Sequence, residues 1–289
     1  MIGAARAFAV DLPAGYRRVD PQRYFGRDPA SFSERVTPDG TIRKAVWLGE
    51  RAVELRISFA GDAAHCEIVA GFEPGAADLA AARAAASRIL GMHGDPSAFE
   101  TRFREDAILA GPLRRRPNLR IPLAADPFEA LVWAIVGQQI NLRFASRLRN
   151  VLGAIAGTPT GSGLTAQPRA GTLALVSPAE LRARQFSQTK AEYVVGAARA
   201  IADGLPFGEI SQLRGIGQWT AGYVELRGLG KLDSVPIGDS GLRSSLAQAL
   251  GRSRDSLKPV DVASIMERYA PYRSFATAHL WARLADADR

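Results

Sequence analysis

The sequence predicts an α+β N-terminal domain, an antiparallel sheet with helices, followed by an all-α domain. Three observations carry this. Between Ile42 and Ala70 apolar residues recur with a period of two, the signature of half-buried strands. From Asp126 onward they recur at helical spacing, and no strand pattern appears beyond Ile121. Between the two regimes, Gly111 to Ala125 holds three prolines and Arg114-Arg115-Arg116 without a helical period, which reads as a connection. The expected division is therefore residues 1–111 and 112–289.

In the first part, Val53, Leu55, Ile57 and Phe59 fall on one side of a strand and Glu54, Arg56 and Ser58 on the other. Pro38-Asp39-Gly40, Gly49 and Ala60-Gly61-Asp62 supply turns, and Asp78 to Leu90 is an alanine-rich helix ending near Gly91. In the second part, Asp126-Pro127-Phe128-Glu129 combines an N-cap aspartate, a proline at the first helical position and a glutamate at the third. The helix it opens carries Leu131, Val132, Ile135 and Val136. A second run, Leu142 to Ile155, puts Phe144, Leu148 and Val151 inward and Arg143, Arg147 and Arg149 elsewhere. Thr158 to Gly171 reads as a polar loop. Further helical patterns cover Pro178 to Arg184, Lys190 to Ala202, Gln218 to Leu226, Gly241 to Leu250, Val260 to Tyr269 and Arg273 to Ala285.

Bulk properties bound the function. Hydrophobic residues are 47% and charged ones 23% of 289, an ordinary globular composition. The opening segment MIGAARAFAV is too short for an export signal or a membrane span, so a cytoplasmic protein is expected. The single cysteine, Cys66, excludes an intramolecular disulfide and a four-cysteine iron–sulfur cluster, and reads as a packed strand residue. His65, His93 and His279 have no ligand spacing and read as structural, which argues against a zinc hydrolase. Net charge is +8, unevenly placed: residues 1–110 hold 14 Lys+Arg against 15 Asp+Glu, and residues 111–289 hold 23 against 14. A basic second half suits contact with a polyanion, or simply a solvated surface.

Two short segments carry chemistry. In Leu213-Arg214-Gly215-Ile216-Gly217-Gln218-Trp219-Thr220-Ala221-Gly222-Tyr223, two glycines flank one apolar residue just before a helix. Glycines allow a tight turn, and the unpaired amides of a helix N-terminus can hold a phosphate; the plain alternative is a helix–turn–helix corner. About twenty residues later, Val235-Pro236-Ile237-Gly238-Asp239-Ser240-Gly241 opens another helix, where Asp239 alone would be an ordinary N-cap. Gly215-x-Gly217 lacks a third glycine in register and follows no strand, so a nucleotide-binding fingerprint is not supported.

Together these segments resemble the helix-hairpin-helix, Gly-Pro-Asp superfamily of DNA glycosylases, and most closely the 3-methyladenine DNA glycosylase II family. The segments that carry the resemblance are Asp126 to Asn141, Leu213 to Tyr223 and Pro271 to Trp281, in the family's order and spacing. The resemblance implies an all-α helix-hairpin-helix catalytic domain, double-stranded DNA as partner, and a monomer with no cofactor required for the chemistry. By it, Asp239 is the catalytic carboxylate, stabilising positive charge on the sugar or deprotonating the attacking water. Trp219, Tyr223 and Tyr272 would form an aromatic pocket for a cationic base. Gly215, Gly217, Gln218 and Thr220 would contact DNA. Gln139, in the turn after the first helix, would fill the gap left by a flipped nucleotide; capping of the helix end by Gln138 and Gln139 is the other reading. A monovalent cation would sit on the backbone carbonyls of Ser211, Leu213 and Ile216.

Bifunctional relatives carry a lysine in the hairpin helix that forms a Schiff base. Here Trp219 takes that position, which implies a monofunctional enzyme leaving an abasic site. Two alternatives stand beside this reading: the same chemistry on deaminated, oxidised or mismatched bases, and a non-catalytic DNA-binding protein. Asp239 separates the second, because a carboxylate beside DNA repels phosphate and serves no purpose in mere binding.

Overall fold

A computed structural model describes residues 6–287, so the first five residues of the opening segment lie outside the described residues. The rest of that segment is an edge strand. The N-terminal part runs β1 (Arg6–Asp11), α1 (Val19–Phe25), β2 (Glu34–Val36), β3 (Ile42–Leu48), β4 (Arg51–Ala60), β5 (Ala63–Val69) and α2 (Ala76–Ile89). The five strands form one antiparallel sheet in the order β1-β5-β4-β3-β2. Gly49 (φ +58°) and Gly61 (φ +56°) make its tight turns, a left-handed conformation that glycine adopts without a Cβ clash. Val53, Leu55 and Ile57 pack with Ile68 under Ala82, Ala86 and Ile89 of α2, as the alternation predicts. Cys66 is buried in β5, where desolvation raises its thiol pKa to about 12.

The remainder is α3 (Ser97–Phe103), α4 (Ala110–Arg115), α5 (Pro127–Gly137), α6 (Leu142–Ala156), the two-residue strands β6 (Thr158–Pro159) and β7 (Thr165–Ala166), α7 (Ala170–Ala174), α8 (Pro178–Arg182) and α9 (Gln188–Ala202). After a 3-10 turn at Phe207–Gln212 come α10 (Gln218–Arg227), α11 (Ser240–Ala249), α12 (Pro259–Glu267) and α13 (Arg273–Ala287). Among the described residues no helix is long and apolar enough to cross a membrane.

Five expectations are corrected. The connection at 111–125 is not irregular throughout, because α4 begins it. Leu109 and Leu113 lie one turn apart and join Leu119 and Leu123 in a core with Leu246 and Phe275, beneath the arginines that hid this pattern. The Thr158–Gly171 segment is not an open loop, and the second part is not purely helical. Thr158 pairs with Ala166 and Pro159 with Thr165, and Leu164 and Ala166 pack on Ala45 of β3. Asp126 caps α5 as expected, its Oδ1 accepting from Phe128 N at 2.6 Å, but Glu129 does not reach back to complete a capping box. Arg149 is not at the surface either; it is buried.

Glu129 and Arg149 instead join a buried ion network with the sheet. Lys44 Nζ of β3 lies 2.9 Å from Glu34 Oε2 of β2 and 2.8 Å from Glu129 Oε2 of α5. Arg149 of α6 grips both Glu34 oxygens, at 2.8 and 3.1 Å. The Arg149 and Lys44 charges hold the Glu34 carboxyl far below the usual range against the opposing effect of burial. Two acids and two bases thus compensate one another away from water and join the sheet to α5 and α6. Of the histidines, His279 is fully buried while His65 and His93 are exposed; desolvation lowers the His279 pKa to about 3, and desolvation with the nearby Arg88 and Arg227 charges lowers that of His93 to about 4. Both are neutral side chains at neutral pH.

Removing one member of a buried ion network strands its partners' charge, at about 3–5 kcal/mol. We expect Lys44→Met to cost that much in urea unfolding, and Lys44→Met/Glu129→Gln to cost less than the sum of the singles by about 1 kcal/mol or more. Additive losses would show that the two residues do not interact.

Candidate active site

The hairpin forms where the two glycines predict it. Leu213 and Arg214 leave the 3-10 turn, Gly215 takes φ +87°, and extended Gly217 caps α10. A Cβ on Gly215 would stand 2.2 Å from the Tyr193 ring, so both its conformation and its surroundings demand glycine. Gly217 and Gln218 are exposed at the start of α10, where first-turn amides have no intrahelical partner and face an anion with the positive end of the dipole. Thr220 is the exception in this group. Its side chain is buried and its hydroxyl accepts from Gln138 Nε2 at 2.9 Å, so that hydroxyl serves the interior.

α10 then carries Trp219 and Tyr223 on one face, with ring centroids 5.8 Å apart. Gly222 lets the next segment come close, since a Cβ there would meet the Val235 carbonyl oxygen at 2.3 Å. That contact brings Val235 to Asp239 against α10. Gly238, at φ +94°, turns the chain, and Asp239 becomes the N-cap of α11, its Oδ1 accepting from Leu242 N at 2.7 Å.

The cap is only part of what Asp239 does. Trp219 Nε1 donates to Asp239 Oδ2 at 3.0 Å, and Trp281 Nε1 donates to Oδ1 at 2.9 Å. Two indoles and one backbone amide, from three helices, thus fix a half-buried carboxylate. An N-cap needs only the amide. The two extra donors sit at the carboxylate for another reason, and a negative group held in place at a hairpin mouth can stabilise positive charge on a bound partner.

Trp281 was not singled out in the sequence, although it ends the third of the resembling segments. Its ring lies 6.3 Å from that of Tyr223, so Trp219, Tyr223 and Trp281 form a continuous aromatic wall around Asp239. Tyr272, the expected third member, is half-buried and packs on the same core cluster as Trp281. Its ring pairs with Phe99 of α3 at 6.2 Å, and among the described residues no ring contact joins it to Tyr223 or Trp219. Tyr24 of α1 and Arg27, two residues beyond that helix, are further groups that the sequence gave no reason to choose. The Arg27 guanidinium lies 4.2 Å from the Tyr24 ring centroid, and burial pushes the pKa of the Tyr223 hydroxyl near them upward.

The turn after α5 is tied to the hairpin. Gln138 Nε2 donates to the Gly215 carbonyl at 2.8 Å as well as to Thr220. Lys190 Nζ of α9 donates to the carbonyls of Ile135, Val136 and Gln138 at 3.2, 2.6 and 2.9 Å, and burial lowers its pKa to about 8. Between these anchors Gln139 is exposed at φ +56°, a left-handed conformation that costs a glutamine about 1 kcal/mol. Of the expected carbonyl donors, Leu213 O accepts from Ile216 N at 3.1 Å; Ser211 is exposed and Ile216 buried.

Comparison with known proteins identifies the family. A family model of HhH-GPD superfamily base excision DNA repair proteins matches residues 132–271. The chain is 31% identical over 206 residues to a DNA-3-methyladenine glycosylase of Bacillus subtilis, covering 66% of this chain and 68% of that protein. It is 28% identical over 271 residues to DNA-3-methyladenine glycosylase 2 of Escherichia coli, covering 87% and 89%. Among solved structures, a 3-methyladenine DNA-glycosylase from Archaeoglobus fulgidus shares the fold with a TM-score of 0.80 at 21% identity, over 95% of this chain and 97% of that one. The chain belongs to the helix-hairpin-helix, Gly-Pro-Asp superfamily of base excision DNA repair proteins.

Proposed function

We propose that this protein is a monofunctional DNA glycosylase that flips alkylated bases of the 3-methyladenine class out of double-stranded DNA and hydrolyses their N-glycosidic bond. The observation that carries the reading is the Asp239 carboxylate, held by Trp219, Trp281 and the Leu242 amide beside an aromatic wall. The names of the Bacillus subtilis and Escherichia coli relatives support the substrate class.

The steps follow from the residues. The α10 N-terminus at Gly215, Gly217 and Gln218 holds a backbone phosphate, and Gln139 enters the space the flipped nucleotide leaves. Gln138 and Lys190 anchor the turn that carries Gln139, tying it to the hairpin and to α9. The base enters against the Trp219, Tyr223 and Trp281 rings. As the bond from C1′ to the base nitrogen breaks, its electrons leave with the base and positive charge grows on the sugar, where Asp239 stabilises it. Water then adds to C1′ and loses a proton, with Asp239 as the base in reach. An alkylated cationic base leaves as a neutral molecule, so no separate acid is required.

The lysine arrangement supports hydrolysis without strand cleavage. Trp219 stands at the Schiff-base position, Lys231 Nζ is 2.6 Å from Glu225 Oε1, and Lys190 is bound by three carbonyls. A monovalent cation on Ser211, Leu213 and Ile216 would add positive charge beside the phosphate site. An all-carbonyl donor set suits such an ion, and the Leu213 oxygen retains a second lone pair for it. The reading places catalysis in 112–289 with 1–111 as an α+β unit ahead of it, in a cytoplasmic, nucleoid-associated monomer.

Incubation with methylated duplex DNA should release 3-methyladenine and leave an intact abasic strand, with no covalent complex trapped by borohydride. A trapped complex would contradict the monofunctional reading, and no released base would favour the non-catalytic one. Trp281→Phe keeps a ring but removes one donor to Asp239. Single-turnover base release should slow by about tenfold, less than the roughly 100-fold cost of a donor that touches the developing charge itself, because Trp281 acts through Asp239. An unchanged rate would mean that Trp281 only packs.

A further inference from the structure

The hairpin serves the strand that carries the lesion; the complementary strand needs its own contact, and the first two turns of α6 offer one. This helix buries Ala145, Leu148, Leu152 and Ala156 in the same core as α5. Leu142 stands three residues before Ala145 on that stripe, yet it is 56% exposed, so the stripe runs one turn past the core. A single exposed leucine is ordinary on a protein surface. This one has two exposed cations beside it, Arg143 and Arg147, one helical turn apart. Among the described residues neither arginine side chain makes a hydrogen bond, ion pair or ring contact, and the first turn of α6 holds no acidic residue.

The position of this surface is set by the turn before it. Gln138 Nε2 is bonded to the Gly215 carbonyl at 2.8 Å, and a Cβ on Gly137 would lie 3.8 Å from the Trp219 ring. Leu142 follows four residues after Gln138, so their Cα atoms are at most about 14 Å apart. The two strands of B-DNA face each other across a minor groove roughly 6 Å wide. A surface that begins beside the hairpin and extends along α6 therefore has the reach to touch the second strand. Its chemistry suits that strand as well: unpaired guanidiniums match phosphates, and an apolar side chain matches sugar and base faces.

We propose that the first two turns of α6 grip the undamaged strand opposite the lesion, with Arg143 and Arg147 on its phosphates and Leu142 packed on the sugar and base faces between them. The inference rests on the glycosylase reading and adds to it a second-strand contact. A grip of this kind holds the complementary strand in place while Gln139 occupies the gap, and it reads no base edge, so it is indifferent to the base opposite the lesion.

The test measures binding to a duplex with an abasic site over a range of salt concentrations. In Arg143→Gln/Arg147→Gln the slope of log affinity against log salt should shrink by about 1.8, the counterions released at two phosphates. Leu142→Ser should bind about fivefold more weakly with an unchanged slope, because an apolar contact releases no counterions. Uncharged methylphosphonate linkages in the complementary strand, opposite the abasic site, should weaken binding by wild type and leave the double variant's affinity unchanged. The same linkages in the lesion strand should weaken both proteins. A double variant that keeps the wild-type slope, or stays sensitive to complementary-strand linkages, would overturn the proposal. Base release from methylated duplex by the wild type, measured alongside, separates the two readings. Release beside an unchanged slope overturns the grip alone, and release of no base would overturn the glycosylase reading on which it rests.

Discussion

The structure of the site depends on one constraint: a carboxylate at the head of α11 must be held near the Gly215–Gly217 hairpin without being neutralised by a permanent cation. Asp239 meets it through neutral donors. Its partners are the Leu242 amide and the indoles of Trp219 and Trp281, which orient the group and leave its charge available to a ligand. An arginine in their place would satisfy the oxygens equally well and cancel the charge. The elements around the carboxylate follow from this need. Gly222 lets the Val235–Asp239 segment approach α10, Gly238 turns it, and α13 delivers Trp281 from the far end of the chain.

A second constraint keeps the two parts of the molecule in register. The Glu34, Lys44, Glu129 and Arg149 network joins the sheet to α5 and α6, and α5 ends at the turn that presents Gln139. Buried charges are a costly way to hold two elements together compared with apolar packing. They tolerate fewer alternative alignments, because a slipped register would leave a charge without a partner. Such precision matters where α1 sets the Tyr24 ring 4.6 Å from the Arg227 guanidinium of α10.

Much of this was legible in the sequence, for a physical reason: the informative residues are close together along the chain. Gly215, Gly217 and Asp239 lie within about one hairpin and one helix of each other, and the turn and cap chemistry that recruits them is local. The strands β3 to β5 announced themselves by alternation. The parts that were not legible depend on distant pairing. Trp281 meets Asp239 across 42 residues and looks like any apolar position of α13. Glu34 meets Arg149 across 115 residues, and periodicity assigns both to the surface by their charge.

The central claim, that the Asp239 carboxylate drives base release, is tested most directly by single-turnover release of 3-methyladenine by Asp239→Asn. Asparagine is as good an N-cap as aspartate, so α11 should form and binding to abasic DNA should persist. The account predicts a rate lower by about 100-fold or more, the scale of losing a group that stabilises transition-state charge. A rate within twofold of wild type would contradict it.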